Sequence, residues 1–171
     1  MYKKSRDMKK YLQTNWRPLA VLAFFCVSLG AMILAICYDS IPVAVAGLPC
    51  FALLLSALHE CGHLIGCKIN GNPITALCVV FFEIRFGRVF LLQYPKLQSY
   101  CTFKRQKRNV LAFLGGPLMS LCATLVVWLL FQVTDAWVWT FYLLISLTHF
   151  LKNLIPAKSS DMQALLNERK R

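Results

Sequence analysis

Charged residues are scarce in this sequence of 171 residues: they make up only 15% of it, and Asp and Glu together number seven. Soluble domains carry about 25% charged residues. Hydrophobic residues are correspondingly abundant, at 58%, and they lie in long blocks. These proportions exclude a collagen-like chain and a disordered tail, and they disfavour an ordinary cytosolic enzyme. The composition therefore predicts a polytopic membrane protein.

Cysteine pairs with C-x-x-C spacing are missing, although the chain has eight cysteines. Most of these cysteines lie inside predicted membrane spans or on the predicted cytosolic side, where thiols stay reduced. We therefore expect them to act as small hydrophobic side chains, not as a disulfide framework or as zinc ligands. Internal repeats and low-complexity linkers are also absent. A single membrane domain, residues 1–171, is the simplest organisation.

Four apolar stretches are long enough to cross a bilayer, which takes about 20 residues of helix. They cover residues 18–38, 41–67, 110–132 and 136–155. The first follows a basic stretch, as the apolar part of a signal peptide does. At about 20 residues, however, it exceeds the roughly 7–15 residues of such a region. We interpret it as an uncleaved span.

The basic residues of the chain indicate how these spans are oriented. There are 19 of them, giving a formal net charge of +12. The short connections at 38–40 and 133–135 contain none, whereas the N-terminal segment, residues 68–109 and the C-terminal part are rich in them. Loops rich in Lys and Arg stay in the cytosol. Both termini and the middle segment are therefore expected there, and the charge needs no nucleic acid to explain it.

The middle segment is the one place where strands are predicted. Asn70-Gly71-Asn72-Pro73 is a strong turn signal. The stretches 74–86 and 88–94 are rich in β-branched and aromatic residues and predict a β-hairpin over about 74–95, joined near Gly87. The expected fold is an all-α polytopic membrane protein with about four transmembrane helices and this hairpin. The hairpin either covers the helices at the interface or offers its edge to an extended peptide.

The second span contains a sequence typical of zinc enzymes, His59-Glu60-Cys61-Gly62-His63, which fits H-E-x-x-H. Residues i and i+4 share a face of a helix, so both imidazoles can bind one zinc ion. Glu60 can serve as general base for a water molecule on that zinc. Random shuffling of three histidines and three glutamates gives this pattern only about 6 times in 10,000. Ionisable groups inside a membrane helix are also costly and usually functional.

A catalytic zinc ion needs a third protein ligand, with water in the fourth position. Ile69 stands where a metzincin would have its third histidine. Glu83 in the predicted hairpin and Asp161 beyond the fourth span are the acidic candidates. Helix geometry places His59 about 27 Å from the start of its span, near the cytosolic end. The fourth span runs in the same direction, which brings Asp161 to the same side and favours it over Glu83.

Taken together, these residues resemble the site-2 protease family of intramembrane zinc metalloproteases. That family combines H-E-x-x-H with a later N-x-x-P-x-x-x-x-D-G motif, whose Asp is the third zinc ligand. The matching residues are His59, Glu60 and His63 for the first motif and Asn153, Pro156 and Asp161 for the second. Residues 115–118 are similar to the small-residue motif of the family, and Met162 departs from its Gly. The resemblance covers most of the chain from Ile41 to Asp161.

The resemblance implies that Asn153 holds the substrate or polarises the scissile carbonyl, which suits an amide donor beside a developing oxyanion. A polar cap at the end of the fourth helix is its alternative role. For residues 115–117 we expect packing, because small residues let helices approach closely. His149 is likewise assigned first to packing. Ser120 and Thr124 are expected to donate hydrogen bonds between helices.

The function implied by the resemblance is hydrolysis of a peptide bond in a membrane-anchored protein or peptide near the cytosolic face. Such an enzyme serves regulated intramembrane proteolysis or the processing of signal or pheromone peptides. His59, His63 and Asp161 would bind Zn²⁺, Glu60 would be the catalytic base and Asn153 would assist. The form is compact, because the segment between the second and third spans is too short for a PDZ domain and no nucleotide-sensing domain follows.

Two other hypotheses stay open. Glu83 as third ligand would make a membrane zincin outside the family. A non-catalytic member that binds and sequesters membrane peptides would explain Met162, although such a binder has no use for Glu60. The expected partners are a membrane-spanning substrate, the lipid bilayer, and a regulatory membrane protein or a second copy, with no nucleic acid. The expected location is the cell membrane. The small size of the chain is typical of a protein of the bacterial cytoplasmic membrane.

Overall fold

Helices make up most of the fold. The computed structural model of the chain describes residues 2–79, 82–85, 88–91, 100–103 and 110–155, with side chains over 20–79, 83–84, 101–103 and 110–155. The helices in these ranges are α1 (Tyr2–Tyr38), α2 (Ile41–Ile69), α3 (Val110–Thr134) and α4 (Trp137–Leu154). The strands are β1 (Ile74–Val79), β2 (Phe82–Arg85), β3 (Arg88–Leu91) and β4 (Tyr100–Phe103).

Three described helices are long and apolar enough to cross a membrane: Ala20–Tyr38 of α1, α2 and α3. This finding supports a helical membrane protein with apolar spans. The helix α4 is shorter, with 18 residues, and is not among the three. Its last turns carry His149, Lys152 and Asn153, which lower its hydropathy. The fourth span therefore stays a prediction.

The two tight connections between helices each contain an aspartate in the left-handed region, Asp39 at φ 47° and Asp135 at φ 51°. Aspartate tolerates this conformation better than most residues with a side chain. Asp39 also joins the two connections, because its Oδ1 accepts a hydrogen bond of 2.8 Å from the backbone N–H of Val138. A carboxylate at the N-terminus of α4 satisfies an exposed donor and interacts favourably with the helix dipole.

The sheet is antiparallel in the order β3-β2-β1-β4. The pairing of Arg85 with Arg88 confirms the predicted reversal near Gly87. The predicted first strand, 74–86, is wrong as a single strand, because Val79 pairs with Phe82 and the chain already reverses there. No Gly, Pro or Asn marks that reversal in a run of β-branched and aromatic residues.

The strand β4 is an element that the sequence did not predict, since it follows the predicted hairpin. It pairs with β1, and both strands contact α2. Phe103 of β4 also packs against Phe113 of α3, with ring centroids 5.7 Å apart. The sheet therefore covers one end of the α2–α3 pair and is not an isolated hairpin.

The helices α2 and α3 approach each other closely at their glycines. A Cβ added to Gly62 would overlap the backbone carbonyl of Gly115, and one added to Gly66 would lie 2.9 Å from the Cα of Ala112 and closer to the carbonyl of Leu111. Only glycine permits backbones to meet this closely, as in the small-x-x-x-small pattern of membrane helices. The expected packing role of Gly115 is confirmed.

Candidate metal centre

His59, Glu60 and His63 lie near the end of α2 and are all buried, each 7% exposed. The two histidines are one helical turn apart and so project from the same face of α2. Their Nε2 atoms converge to 3.1 Å. Two nitrogens at about 2.0–2.1 Å from one tetrahedral zinc ion are about 3.3 Å apart. The observed separation therefore fits a shared ion.

The second nitrogen of each imidazole, Nδ1, contacts a group of α3. His63 Nδ1 lies 2.6 Å from the carbonyl oxygen of Ala112, and His59 Nδ1 lies 2.8 Å from Ser120 Oγ. A carbonyl can only accept, so His63 Nδ1 carries the proton and its Nε2 keeps the lone pair that a metal requires. Histidines that bind metals in proteins are oriented by this type of second hydrogen bond.

The hydroxyl of Ser120 suits two states of His59. In the first state it accepts from His59 Nδ1–H, and the Nε2 atoms of His59 and His63 both keep a lone pair for a metal. In the second state it donates to His59 Nδ1, and His59 Nε2–H then donates to His63 Nε2. Ser120 thus makes the contact between helices expected of it, but to a histidine of the candidate site. The prediction for Thr124 is wrong, because its hydroxyl donates to the Ser120 carbonyl within α3.

Space for an ion at the point of convergence comes from Gly116. A Cβ at this position would lie 2.6 Å from His59 Nε2 and closer still to His63 Nε2. That hypothetical atom occupies the volume in which the two nitrogens meet. The expectation of packing alone for this glycine is therefore incomplete. Its neighbour Gly115 packs against α2, and Gly116 leaves room at the imidazoles.

Glu60 faces the side of α2 that the sheet covers. Burial first, and then the neighbouring Cys67 and Glu60, raise the pKa of the Cys101 thiol in β4 to about 12. That thiol is hydrogen-bonded to Cys67. Cys101 is therefore protonated at neutral pH, as expected of a cysteine that packs as a small hydrophobic residue. Glu60 is itself buried, and its charge acts on this thiol.

The third metal ligand is not settled by the described residues. Asp161 and Pro156 lie outside them. Glu83 is buried in β2, 4% exposed, and pairs with Cys78 of β1. Among the described side chains, no three of the types His, Cys, Asp and Glu surround one point. The role of Glu83 as third ligand, like that of Asp161, stays a prediction.

Asn153 lies in the last turn of α4. Its Nδ2 donates a hydrogen bond of 2.9 Å to the backbone carbonyl of His149. This is the helix-end role that the sequence left open. The helix ends at Leu154, and the next residue is extended.

His149 was assigned first to packing, and the structure shows its ring packed against a histidine of the candidate site. Its ring lies 5.6 Å from that of His59, nearly perpendicular to it at 85°. It therefore packs on the histidine pair, and all three histidines of the chain meet in one place. Its spacing of four residues from Asn153, on one helix face, was the available signal. The contact of His63 with the Ala112 carbonyl could not be predicted in this way, because every residue has a backbone carbonyl.

An apolar cavity of about 340 Å³ lies between the four helices. Leu58 and Met119 line it, and they are the chain neighbours of His59 and Ser120. The deeper wall includes Phe51 and Tyr142, whose rings are 4.4 Å apart. Such a lining suits hydrocarbon side chains and not charged groups.

Comparison with protein-family models, with curated proteins and with solved structures found no significant match.

Replacing Gly116 by alanine should remove bound metal, because the new methyl group fills the space between the two Nε2 atoms. Metal analysis by inductively coupled plasma mass spectrometry should show the zinc content per chain falling severalfold. Gly30→Ala is the matched control, since a Cβ at Gly30 meets nothing within 4 Å. Full zinc content in the Gly116→Ala protein would contradict this placement of the ion.

Replacing Ser120 by alanine should weaken zinc binding by about 10–100-fold, because His59 loses the partner that orients its ring. Competition with a chromophoric chelator measures the affinity. Ser146→Ala is the control: this serine is equally buried, 1% exposed, but its hydroxyl donates to Leu143 in its own helix. Equal affinities of the two variants would mean that Ser120 does not support the site.

Proposed function

We propose that this chain is an intramembrane zinc metalloprotease of the site-2 protease type. It hydrolyses a peptide bond in a membrane-anchored protein or peptide near the cytosolic face of the membrane. The observation that carries the proposal is the convergence of the His59 and His63 Nε2 atoms within an apolar helix, with both Nδ1 atoms engaged from α3. Glu60, between them in sequence, supplies the carboxylate that such chemistry needs.

His59, His63 and Asp161 are the proposed protein ligands of the ion. A zinc ion held there would supply Lewis acidity to a water molecule and to the scissile carbonyl. The convergent nitrogens, the space left by Gly116 and the second hydrogen bond of each imidazole all fit such an ion. The proposed role of Asp161 follows from its match to the family motif and from the shared side of the second and fourth spans.

Glu60 is the proposed general base. It takes a proton from the attacking water as the oxygen adds to the carbonyl carbon, and it returns that proton to the amide nitrogen as the C–N bond breaks. The products are a carboxylic acid and an amine, so no other reactant is required. Burial of Glu60 under the sheet strengthens its interaction with nearby charge, because few water molecules screen it.

Asn153 is proposed to touch the substrate as well as its own helix. The amide has two N–H groups, so one can keep the hydrogen bond to His149 while the other donates to the substrate backbone.

In this proposal the helix α4 is the fourth span, and both termini of the chain are on the cytosolic side of the cell membrane. Its 18 residues extend about 27 Å, slightly less than the roughly 30 Å hydrocarbon layer.

The apolar cavity supports a membrane-embedded substrate. Its lining is almost wholly hydrocarbon and includes Leu58 and Met119, which precede His59 and Ser120 in the chain. A substrate helix must unwind near the cytosolic face before its carbonyl can meet the site. The edge strand β4 lies beside α2, close to Glu60, so an extended segment that paired with it by strand addition would pass the proposed base.

Metal analysis of the purified protein tests the ligand set. We expect about one zinc ion per chain in the wild type, lost in Asp161→Asn and kept in Glu83→Gln, because only Asp161 completes the site. The reverse pattern would favour a membrane zincin that uses Glu83. A wild type that binds no zinc, purified without chelators, would favour a peptide-sequestering protein.

Substitution Glu60→Gln tests the chemistry. Wild type and variant are reconstituted in liposomes with single-span peptides that carry a Gly-Pro pair near the cytosolic end, and products are followed by mass spectrometry. Cleavage should fall by about 10²–10⁴-fold in the variant, because the amide cannot accept the proton, while peptide binding persists. An uninterrupted Leu-rich peptide is the control substrate and should resist cleavage.

Two results would count against the proposed reaction. Equal cleavage by wild type and Glu60→Gln would assign the activity to a contaminant or another mechanism. A zinc-loaded wild type that binds the peptides and cuts none of them would identify a binding protein.

A further inference from the structure

His149 differs from the other two histidines in how its ring is held. His59 and His63 each have Nδ1 fixed by a group of α3. His149 Nδ1 is buried, yet it has no hydrogen-bond partner among the described residues. A buried imidazole nitrogen without a partner costs free energy, so such groups are usually satisfied or reserved for a ligand.

The ring that carries this nitrogen lies beside the candidate site. The ring of His149 lies 5.6 Å from the ring of His59, whose Nε2 faces the space beside Gly116. The described side chains do not group His149 with His59 and His63 around one point. His149 therefore lies beside the candidate site as a neighbour of His59, and Asp161 remains the proposed third ligand.

One of the two N–H groups of Asn153 is already engaged. Its Nδ2 donates to the His149 carbonyl and so holds the last turn of α4, which carries His149. The last turn of α4 thus carries the Asn153 amide, which donates to the backbone of its own helix, and the His149 imidazole, whose Nδ1 has no hydrogen-bond partner among the described residues. The imidazole is therefore a second donor for the substrate, beside the remaining N–H of Asn153.

We propose that His149 is a catalytic residue of this site. Its neutral imidazole donates a hydrogen bond from Nδ1 to the carbonyl oxygen of the scissile peptide bond as that oxygen gains negative charge, and Asn153 positions His149 by fixing the end of α4. This inference rests on the proposed protease function and deepens it. A prearranged donor at a developing oxyanion, in a site with little water, commonly accounts for about 10²–10³-fold in rate.

The test uses a small anion in place of the unknown substrate. The full-length protein is loaded with Co²⁺, whose visible absorption reports both metal binding and a change of ligand, which Zn²⁺ with its filled d shell does not. Acetohydroxamic acid is titrated as the probe. Four variants are compared with wild type: His149→Phe, His149→Asn, Asn153→Ala and Thr148→Val.

His149→Phe should bind cobalt normally but raise the Kd of the probe by about 10-fold or more, because a hydrogen bond to a charged oxygen is lost. His149→Asn restores an N–H near the Nδ1 position and should recover part of that affinity. Asn153→Ala should have the smaller effect. Thr148→Val is the matched control, since Thr148 is exposed and its hydroxyl donates to Leu144 within α4.

The outcomes separate this inference from the function on which it rests. Loss of cobalt in His149→Phe would make His149 a metal ligand and overturn the role proposed here. An unchanged Kd in His149→Phe, or a larger effect in Asn153→Ala than in His149→Phe, would also overturn it and leave the protease intact. A wild type without cobalt would remove the metal centre, and this inference with it.

Discussion

The contact between α2 and α3 is the constraint on which the site depends. Gly62 of α2 meets the carbonyl of Gly115 so closely that neither position has space for a Cβ. In a bilayer, apolar helices gain little by hiding from lipid, so close packing and hydrogen bonds must hold them together. Here the packing comes from glycines, and the hydrogen bonds come from the two histidines of the candidate metal centre. Any change that separates these helices therefore moves both imidazoles.

Helix association and metal binding are consequently coupled. His63 bonds the carbonyl of Ala112, and His59 bonds the hydroxyl of Ser120, so each imidazole links α2 to α3 on one side and faces the proposed ion on the other. An ion that binds only the assembled pair would stabilise that pair by mass action. It would also relieve the approach of two nitrogens at 3.1 Å, which otherwise need a shared proton.

The sequence predicted the parts of the fold that depend on local pattern. The length of the apolar stretches predicted the helices, and the i, i+4 spacing predicted that His59 and His63 lie on one helix face. The strands were harder, because the reversal after Val79 has no turn residue and β4 is specified by its neighbours. For His149 the spacing from Asn153 indicated only a shared helix face, since the packing of α4 against α2 decides which way that ring faces. The proposed third ligand, Asp161, is a prediction that lies outside the described residues.

The hydrogen bond from Val138 to Asp39 has a mechanical consequence. It links the first turn of α4 to the connection between α1 and α2, so this end of α4 is fixed in position. His149 stands 11 residues further along, about 16 Å from that fixed point. A tilt of only 5° about the fastening would displace the imidazole by about 1.4 Å, enough to make or break a hydrogen bond. The Asp39 carboxylate, at the opposite end of α4 from His149, thus determines how far the imidazole moves beside the candidate metal centre when α4 tilts.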